Sequence, residues 1–350
     1  MSTYLVRLTP QEPYFFGNEK NLEFKGQKNR GQMTNRYYIK SERTPLQTTL
    51  LGAMRYVFLK NKTYDLSGEN VGSESFKIEK DFQDFGVIKS ISPLFLLKGN
   101  ERLIVTPFDH LKAKKEKKVV DGEEKEIRYK MTTYTPFTNY EKISTADGEK
   151  WFTPYFDVKE GLMDSYVYVD SEAGKIVDSY NIFSYTTRVM INKNQNKKAF
   201  FKKDYVTLDK EYSFGFYLEL ADNAKIDESQ TFVYLGQGKS LFSLKFEEAE
   251  NDIESKIKSL IGKNKVYCFG DTLACNYIYK ASKFSVVDFR DYRAYATNSK
   301  GKVEKGGTLY KLIKAGSVFI SDDTSKIVCC HDNREQIGFN IMIKQEDMKK

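Results

Sequence analysis

YLVRLTPQEPYFFG (Tyr4–Gly17) and, after a basic segment, SERTPLQTTLLGAMRYVFL (Ser41–Leu59) decide the reading of this chain. Tyr4–Thr9 alternates apolar and polar residues, the period-2 signature of a half-buried strand. Thr44 suits a helix cap, Pro45 the first helical position, and Gln47 the third residue of a capping box. Leu46, Leu50, Met54, Val57 and Phe58 then fall on one helical face. The pattern predicts a helix over Pro45–Lys60 with its Leu50/Met54/Phe58 face on the first sheet. The small pair Gly52-Ala53 places Gly52 at the closest approach, since an interior glycine costs about 1 kcal/mol relative to alanine unless packing needs it. Strand, basic arm and helix make the opening of an α+β unit.

Strands are expected over Phe85–Ile91 and Pro93–Leu97. Lys112–Lys130 reads as a charged hairpin turning at Asp121-Gly122, its lysines diluted by Glu116, Glu123, Glu124 and Glu126. TTRVMINKNQNKKAFF (Thr186–Phe201) reads as a second hairpin, and YSFGFYLEL (Tyr212–Leu220) as a strand. The polar stretch Ala221–Gln230 looks like a linker. Beyond it, Phe232–Phe246 is strand-like about a glycine turn, and Ala249–Lys263 is helical with Ile253, Ile257, Leu260 and Ile261 inward. Val266–Phe269, Phe284–Phe289, Val318–Ser321, Ile327–Cys330 and Ile337–Lys344 read as strands. Each half mixes strands with a helix, so we expect two α+β units, 1–224 and 229–350, with a hairpin at about 186–206.

The 350 residues carry a net charge of +8, which favours polyanions only weakly. The distribution says more. Lys25–Arg43 holds six basic residues and one acid, Glu42; Thr186–Lys203 holds six basic residues and none. Such clusters give a local positive field that scattered charge would cancel. Arg36, Lys40, Ser41 and Arg43 should lie near nucleic-acid phosphates just before the predicted helix start, with Gln47 at its first turn. Arg188, Lys193, Asn194, Lys197 and Lys198 should carry the hairpin's contacts to a nucleic-acid backbone. Phe15, Phe16, Tyr37 and Tyr38 lie beside the arm and are candidates for base stacking, core burial being the ordinary alternative.

No apolar run approaches the ~20 residues of a membrane span, and the N-terminus lacks the layout of a signal peptide, so a cytoplasmic protein is expected. Cys268, Cys275, Cys329 and Cys330 suit reduced thiols; C-x6-C beside Cys329-Cys330-His331 lacks zinc spacing. No metal or other cofactor is expected. Gly236-Gln237-Gly238-Lys239-Ser240 resembles part of a phosphate loop, but Val233 stands where its first glycine belongs and SLFSLKF after it alternates like a strand. A β-turn displaying amides is the better reading. Lys314-Ala315-Gly316-Ser317 and Gly306-Gly307 are open between ligand loops and plain turns. His110 follows Asp109, yet neighbours in a strand face opposite ways, and no nucleophile elbow or paired-carboxylate motif is present.

With these residues laid out, the chain resembles subunit three of the type III-B CRISPR Cmr effector, within the repeat-associated mysterious protein (RAMP) superfamily. Tyr4–Gly17, Thr44–Leu59, Phe183–Leu208, Tyr234–Leu244, Ile313–Ile320 and Ile337–Asn340 carry the resemblance, in order and across almost the whole chain. It implies two ferredoxin-like (RRM-like) domains with a protruding basic β-hairpin. It implies a non-catalytic subunit that binds and caps the 5′ tag of the crRNA at the foot of the complex. The implied partners are the large polymerase-like signalling subunit and the first backbone subunit, with target RNA met indirectly. Arg55 enters as a site residue through the family's GAxR pattern, and Gly338 and Asn340 stand where a glycine-rich terminal loop is expected. The alternative is a RAMP-type endoribonuclease processing repeat RNA with His110 as general base.

Overall fold

The computed structural model describes residues 1–17, 21–25, 35–59, 70–72, 74–80, 82–111, 113–120, 123–137, 141–146, 148–152, 161–192, 199–222, 224, 226, 231–236, 238–273, 276–297, 303–305, 308–327 and 332–345. The N-terminal elements are β1 (Ser2–Pro10), β2 (Asn21–Lys25), β3 (Asn35–Lys40) and helix α1 (Gln47–Leu59). β4 (Ile88–Ile91), β5 (Phe95–Lys98), β6 (Glu101–Val105), β7 (Ala113–Val120) and β8 (Glu123–Lys130) follow. Next come β9 (Glu141–Thr145), β10 (Gly148–Phe152), β11 (Ser165–Tyr168), β12 (Ile176–Asp178), β13 (Phe183–Asn192), β14 (Ala199–Leu208) and β15 (Tyr212–Leu220). The chain continues through β16 (Thr231–Leu235), β17 (Ser240–Glu248), α2 (Ile253–Ile261), β18 (Lys265–Cys268), β19 (Thr272–Leu273), α3 (Asn276–Ala281) and β20 (Phe284–Val286). It ends with β21 (Phe289–Tyr292), β22 (Tyr295–Thr297), β23 (Val303–Lys305), β24 (Tyr310–Ile313), β25 (Val318–Ile320), α4 (Asp332–Glu335) and β26 (Met342–Lys344). The class is α+β.

A nine-stranded sheet organises the molecule, in the order β12-β11-β6-β5-β15-β1-β17-β16 with β4 also on β15. β15 is buried on both faces, which is why YSFGFYLEL is apolar almost throughout. On one face Phe214, Phe216 and Leu218 meet Val6 and Leu8 of β1 and Leu50 and Met54 of α1. On the other, Tyr217, Phe95 and Leu97 meet Ile253, Ile257 and Ile261 of α2 with Tyr267, Val318 and Ile320 from the C-terminal strands. Gly215 lets this face close: a Cβ there would stand 2.6 Å from the Phe95 ring. β17 pairs with β1 from Tyr4↔Glu248 to Pro10↔Phe242. Residues 231–248 therefore belong to the same sheet as the first half, and the linker near 224–229 joins two of its strands. The C-terminal part adds the sheets β20-β25-β18-β26 and β19-β24-β21.

Four expectations change. The helix starts at Gln47, where the amides of Thr49 and Leu50 donate to the Leu46 carbonyl. Gln47 forms no capping box: its Oε1 accepts no amide, and its Nε2 donates to the Ser92 and Gly338 carbonyls. Gly52 is exposed, and a Cβ there would meet nothing within 4 Å, so it lies opposite the packed face rather than at a close approach. Ile337–Lys344 is not one strand: Ile337–Asn340 forms a buried turn, and only Met342–Lys344 pairs with β18.

The charged hairpin forms as expected, Ala113↔Lys130 through Val120↔Glu123, with its turn outside the described residues. The basic hairpin is longer than expected, pairing Phe183↔Leu208 through Asn192↔Ala199. Its return strand is not a free edge. β14 pairs in parallel with β3, so the sheet runs β13-β14-β3-β2. A strand edge left open invites foreign pairing, and the basic arm covers this one. Cys268 is a buried free thiol; Cys275, Cys329 and Cys330 lie outside the described residues. Among the described residues no helix is long and apolar enough to cross a membrane.

Candidate nucleic-acid interface

The pairing of β3 with β14 sets Phe201 opposite Tyr37, Lys202 opposite Tyr38, Lys203 opposite Ile39 and Asp204 opposite Lys40. Two basic segments some 150 residues apart in sequence thus share one sheet. Tyr38 donates its hydroxyl to Asp204, and Thr187 Oγ1 donates to the same carboxylate at 2.6 Å, so the one acid of this strand is occupied within the sheet.

The arm is clamped to the PYFFG loop where it leaves the sheet. Ser41 Oγ accepts from the Phe16 amide at 2.9 Å and donates to the Glu42 carbonyl. The Glu42 amide donates to Phe16 O, and the Tyr14 hydroxyl to Arg43 O at 2.6 Å. Tyr14, Phe15 and Phe16 are buried, so of the four aromatic candidates Phe15 and Phe16 serve the core. The Tyr37 side chain lies outside the described residues, as do that of Arg36 and the hairpin turn holding Lys193, Asn194, Lys197 and Lys198.

From this clamp a cleft of about 770 Å³ opens, lined by Lys40–Thr44, Asp164, Tyr166 and Tyr185, and across from them Asp271, Asp288, Arg290, Lys314 and Ala315. Its size suits one or two nucleotides, within the ~300–1,000 Å³ of ordinary ligand sites. Arg43 pairs with Asp164 and donates from Nε to the Tyr185 hydroxyl at 2.8 Å. Lys40 stands 4.8 Å from the Tyr185 ring. Arg290 bridges Asp271 at 2.9 Å and Glu42 at 3.5 Å, tying the C-terminal strands to the arm. Lys314 pairs with Asp288 at 2.5 Å. Partial desolvation in the cleft opposes ionisation of Asp164, yet the hydrogen bond and charge of Arg43 hold its carboxyl below the ordinary range. The cleft is therefore a set of ion pairs around an aromatic wall. A phosphate entering it must exchange partners with a carboxylate, which favours shape-selective over purely electrostatic binding.

The remaining candidates sit elsewhere. Arg55 donates to the Val71 and Glu74 carbonyls and lies 5.1 Å from the Phe85 ring, anchoring a loop. Gln47, Gly338 and Asn340 are buried together near Pro93; Asn340 Oδ1 accepts from the Leu273 amide, and Gly338 touches Gln47. Gly338 and Asn340 are buried in the fold, while Gln47 also lines a small pocket shared with Asp271, Arg290 and Ala315. Arg188 is exposed on the hairpin, its guanidinium 4.5 Å from the Tyr205 ring. His110 is buried: Nδ1 accepts the Thr135 amide at 3.0 Å, and Nε2 is enclosed without a partner. Burial lowers its pKa, and Nε2 is closed off from solvent. Tyr185, Asp164, Arg290 and Lys314 were not assigned a site role from sequence. Of these, Lys314 alone had a local signal, the Lys314-Ala315-Gly316-Ser317 turn, whose Gly316 packs against Val105 and Phe108.

The model of the CRISPR-associated protein family Cas_Cmr3 matches residues 6–267. A chain of the type III-B Cmr-beta complex bound to cognate target RNA, solved by cryo-EM, has a similar fold: TM-score 0.53, 12% identity, covering 97% of this chain and 96% of that one. A chain of the Cmr-beta complex with cognate target RNA and AMPPnP, in state 1, aligns at 12% identity over 97% and 95% of the two chains, with a TM-score of 0.48. No curated protein matches. The chain belongs to the Cas_Cmr3 family of CRISPR-associated proteins.

Proposed function

We propose that this Cas_Cmr3 family member is a non-catalytic RNA-binding subunit of a type III-B CRISPR effector complex, acting in antiviral defence. In this reading it holds and caps the 5′ tag of the crRNA at the foot of the complex. It contacts the large signalling subunit and the first backbone subunit, and meets target RNA only indirectly. Its halves are two ferredoxin-like units joined through the shared sheet. The parallel pairing of β3 with β14 carries the reading: it makes one surface of two basic segments and ends it at a nucleotide-sized cleft. Lys40, Arg43 and Tyr185 are the residues placed to meet the tag, with Arg188 further out on the hairpin. The burial of His110, with Nδ1 accepting the Thr135 amide and Nε2 enclosed, supports a binding role over the endoribonuclease alternative.

Purifying the assembled complex, digesting with nuclease and sequencing the protected RNA tests this. Protected fragments that begin with the repeat-derived tag, with photo-crosslinks from tag nucleotides to residues 37–43 or 183–205, are expected. Crosslinks from the tag only to other subunits would overturn the tag-capping role. Cleavage of repeat RNA by the purified chain would overturn the non-catalytic one.

A further inference from the structure

On the face of the basic sheet away from Asp204, Arg188 and Lys203 are directly opposed on β13 and β14. Like charges at such a pair repel at close range and destabilise a sheet. Neither has a carboxylate partner among the described residues; each rests instead on aromatic rings. Arg188 Cζ is 4.5 Å from the Tyr205 centroid, and Lys203 Nζ is 3.8 Å from that of Phe15 and 5.8 Å from that of Tyr205. Lys203 is only 8% exposed, an unusual position for a lysine without a counter-ion. Desolvation lowers its pKa, the direction expected of a cation lacking an anion.

The Tyr205 ring is also met by Gly238, in the stretch that carries the incomplete phosphate-loop pattern. At Gly238 a Cβ would lie 3.7 Å from the Tyr205 ring and 4.0 Å from the Phe15 Cβ. At Gly236 (φ 73°) it would lie 2.2 Å from the Phe15 carbonyl oxygen, a seat only glycine fits. The Lys239 amide closes the turn onto Gly236 O, while the amide of exposed Gly238 has no acceptor among the described residues. Lys239 is exposed at the tip.

We infer that Arg188, Lys203 and the Gly238 amide form a phosphate-binding seat. An anion there relieves the opposed cations and accepts from the free glycine amide, as phosphates do on backbone N–H groups. It lies on the sheet face carrying Tyr205 and involves none of the residues lining the cleft. Resting on the RNA-binding reading above, we assign the phosphate to the backbone of the bound strand.

The test measures binding of a fluorescent single-stranded RNA to the full chain across a salt series, for wild type, the double variant Arg188→Gln/Lys203→Met, and Lys203→Arg. Methionine keeps the packing on Phe15, and thermal melting checks the fold of each. A parallel arm measures the shift in melting temperature caused by inorganic phosphate. Loss of about 0.7 from the salt slope in the double variant, one phosphate's worth for a single strand, with Lys203→Arg near wild type, is the expected result. An unchanged slope with a phosphate shift that disappears in the double variant would reassign the seat to free phosphate. No effect of the double variant in either arm would overturn the seat. It would leave the RNA-binding reading standing if Arg43→Gln still weakens RNA. Wild type that binds no RNA would overturn that reading, and the phosphate arm would still decide the seat.

Discussion

The Lys265 ammonium is ion-paired to the Asp109 carboxylate in the interior, joining the first strand of the C-terminal sheet to the loop that follows β6. Asp109 is fully enclosed and also accepts the Tyr134 hydroxyl at 2.8 Å. A buried pair of this kind contributes little over an apolar replacement of both partners, but removing one partner strands the other charge.

Lys265→Met should accordingly cost about 3–5 kcal/mol. The double replacement Lys265→Met/Asp109→Leu should recover much of that loss. Urea denaturation of the three proteins reads the difference. A single variant as stable as wild type would mean that Asp109 is satisfied without the lysine.

Gly52→Ala should stabilise the protein by about 0.5–1 kcal/mol. Gly52 is in the middle of α1, is exposed, and leaves open space where a methyl would go. Only the backbone-entropy cost of glycine remains, and alanine removes it. A higher melting temperature checks this; a lower one would indicate that the open face of α1 packs against something in the folded protein.

Gly338→Ala should act in the opposite direction, losing roughly 1–3 kcal/mol. Its φ is 84°, and a Cβ would lie 2.4 Å from Gln47 Nε2 and 2.8 Å from Pro93 N. Because Gln47 begins α1, the loss should include fraying of the helix start, visible as faster amide exchange at Thr49 and Leu50.

These glycines show what sequence carries and what it does not. β1 and β15 were legible because alternation and a continuous aromatic run reflect burial on one face or two. The role of the Gln47 side chain was misread because its partners, the Ser92 and Gly338 carbonyls, are 45 and 291 residues away. NRYYIK at Asn35–Lys40 did not read as a strand because its pairing depends on β14, and the run Ile337–Lys344 read as one strand because the turn at its start, Ile337–Asn340, is buried. Of the candidate site, the basic segments were visible as charge density. Their union in one sheet was not, since no local pattern encodes a parallel pairing at that distance. Lys40 and Arg43 were found from local charge. Asp164, Tyr185 and Arg290 come from separate elements and share no spacing.

The Arg43–Asp164 pair allows a prediction that separates the two uses of this arginine. Asp164 is more than half exposed, so its attraction to Arg43 is partly screened by water, and replacing it should disturb the fold little. If Arg43 meets an RNA phosphate, the carboxylate competes with that phosphate for the same guanidinium. Asp164→Asn then frees Arg43 and should tighten RNA binding several-fold at low salt, while Arg43→Gln weakens it by about 1–3 kcal/mol. If Arg43 is purely structural, both variants leave RNA affinity unchanged. The pH dependence supplies an independent reading. The Asp164 pKa is held below its unfolded value of about 3.9. Its contribution to stability is therefore present above that pH and is lost as pH falls through the lower, folded value. Wild type should lose this increment on acidification below about pH 4, and Asp164→Asn should not. Acid titration of stability for the two proteins, set beside their RNA affinities at neutral pH, tells whether the pair stands apart from ligand binding or gates it.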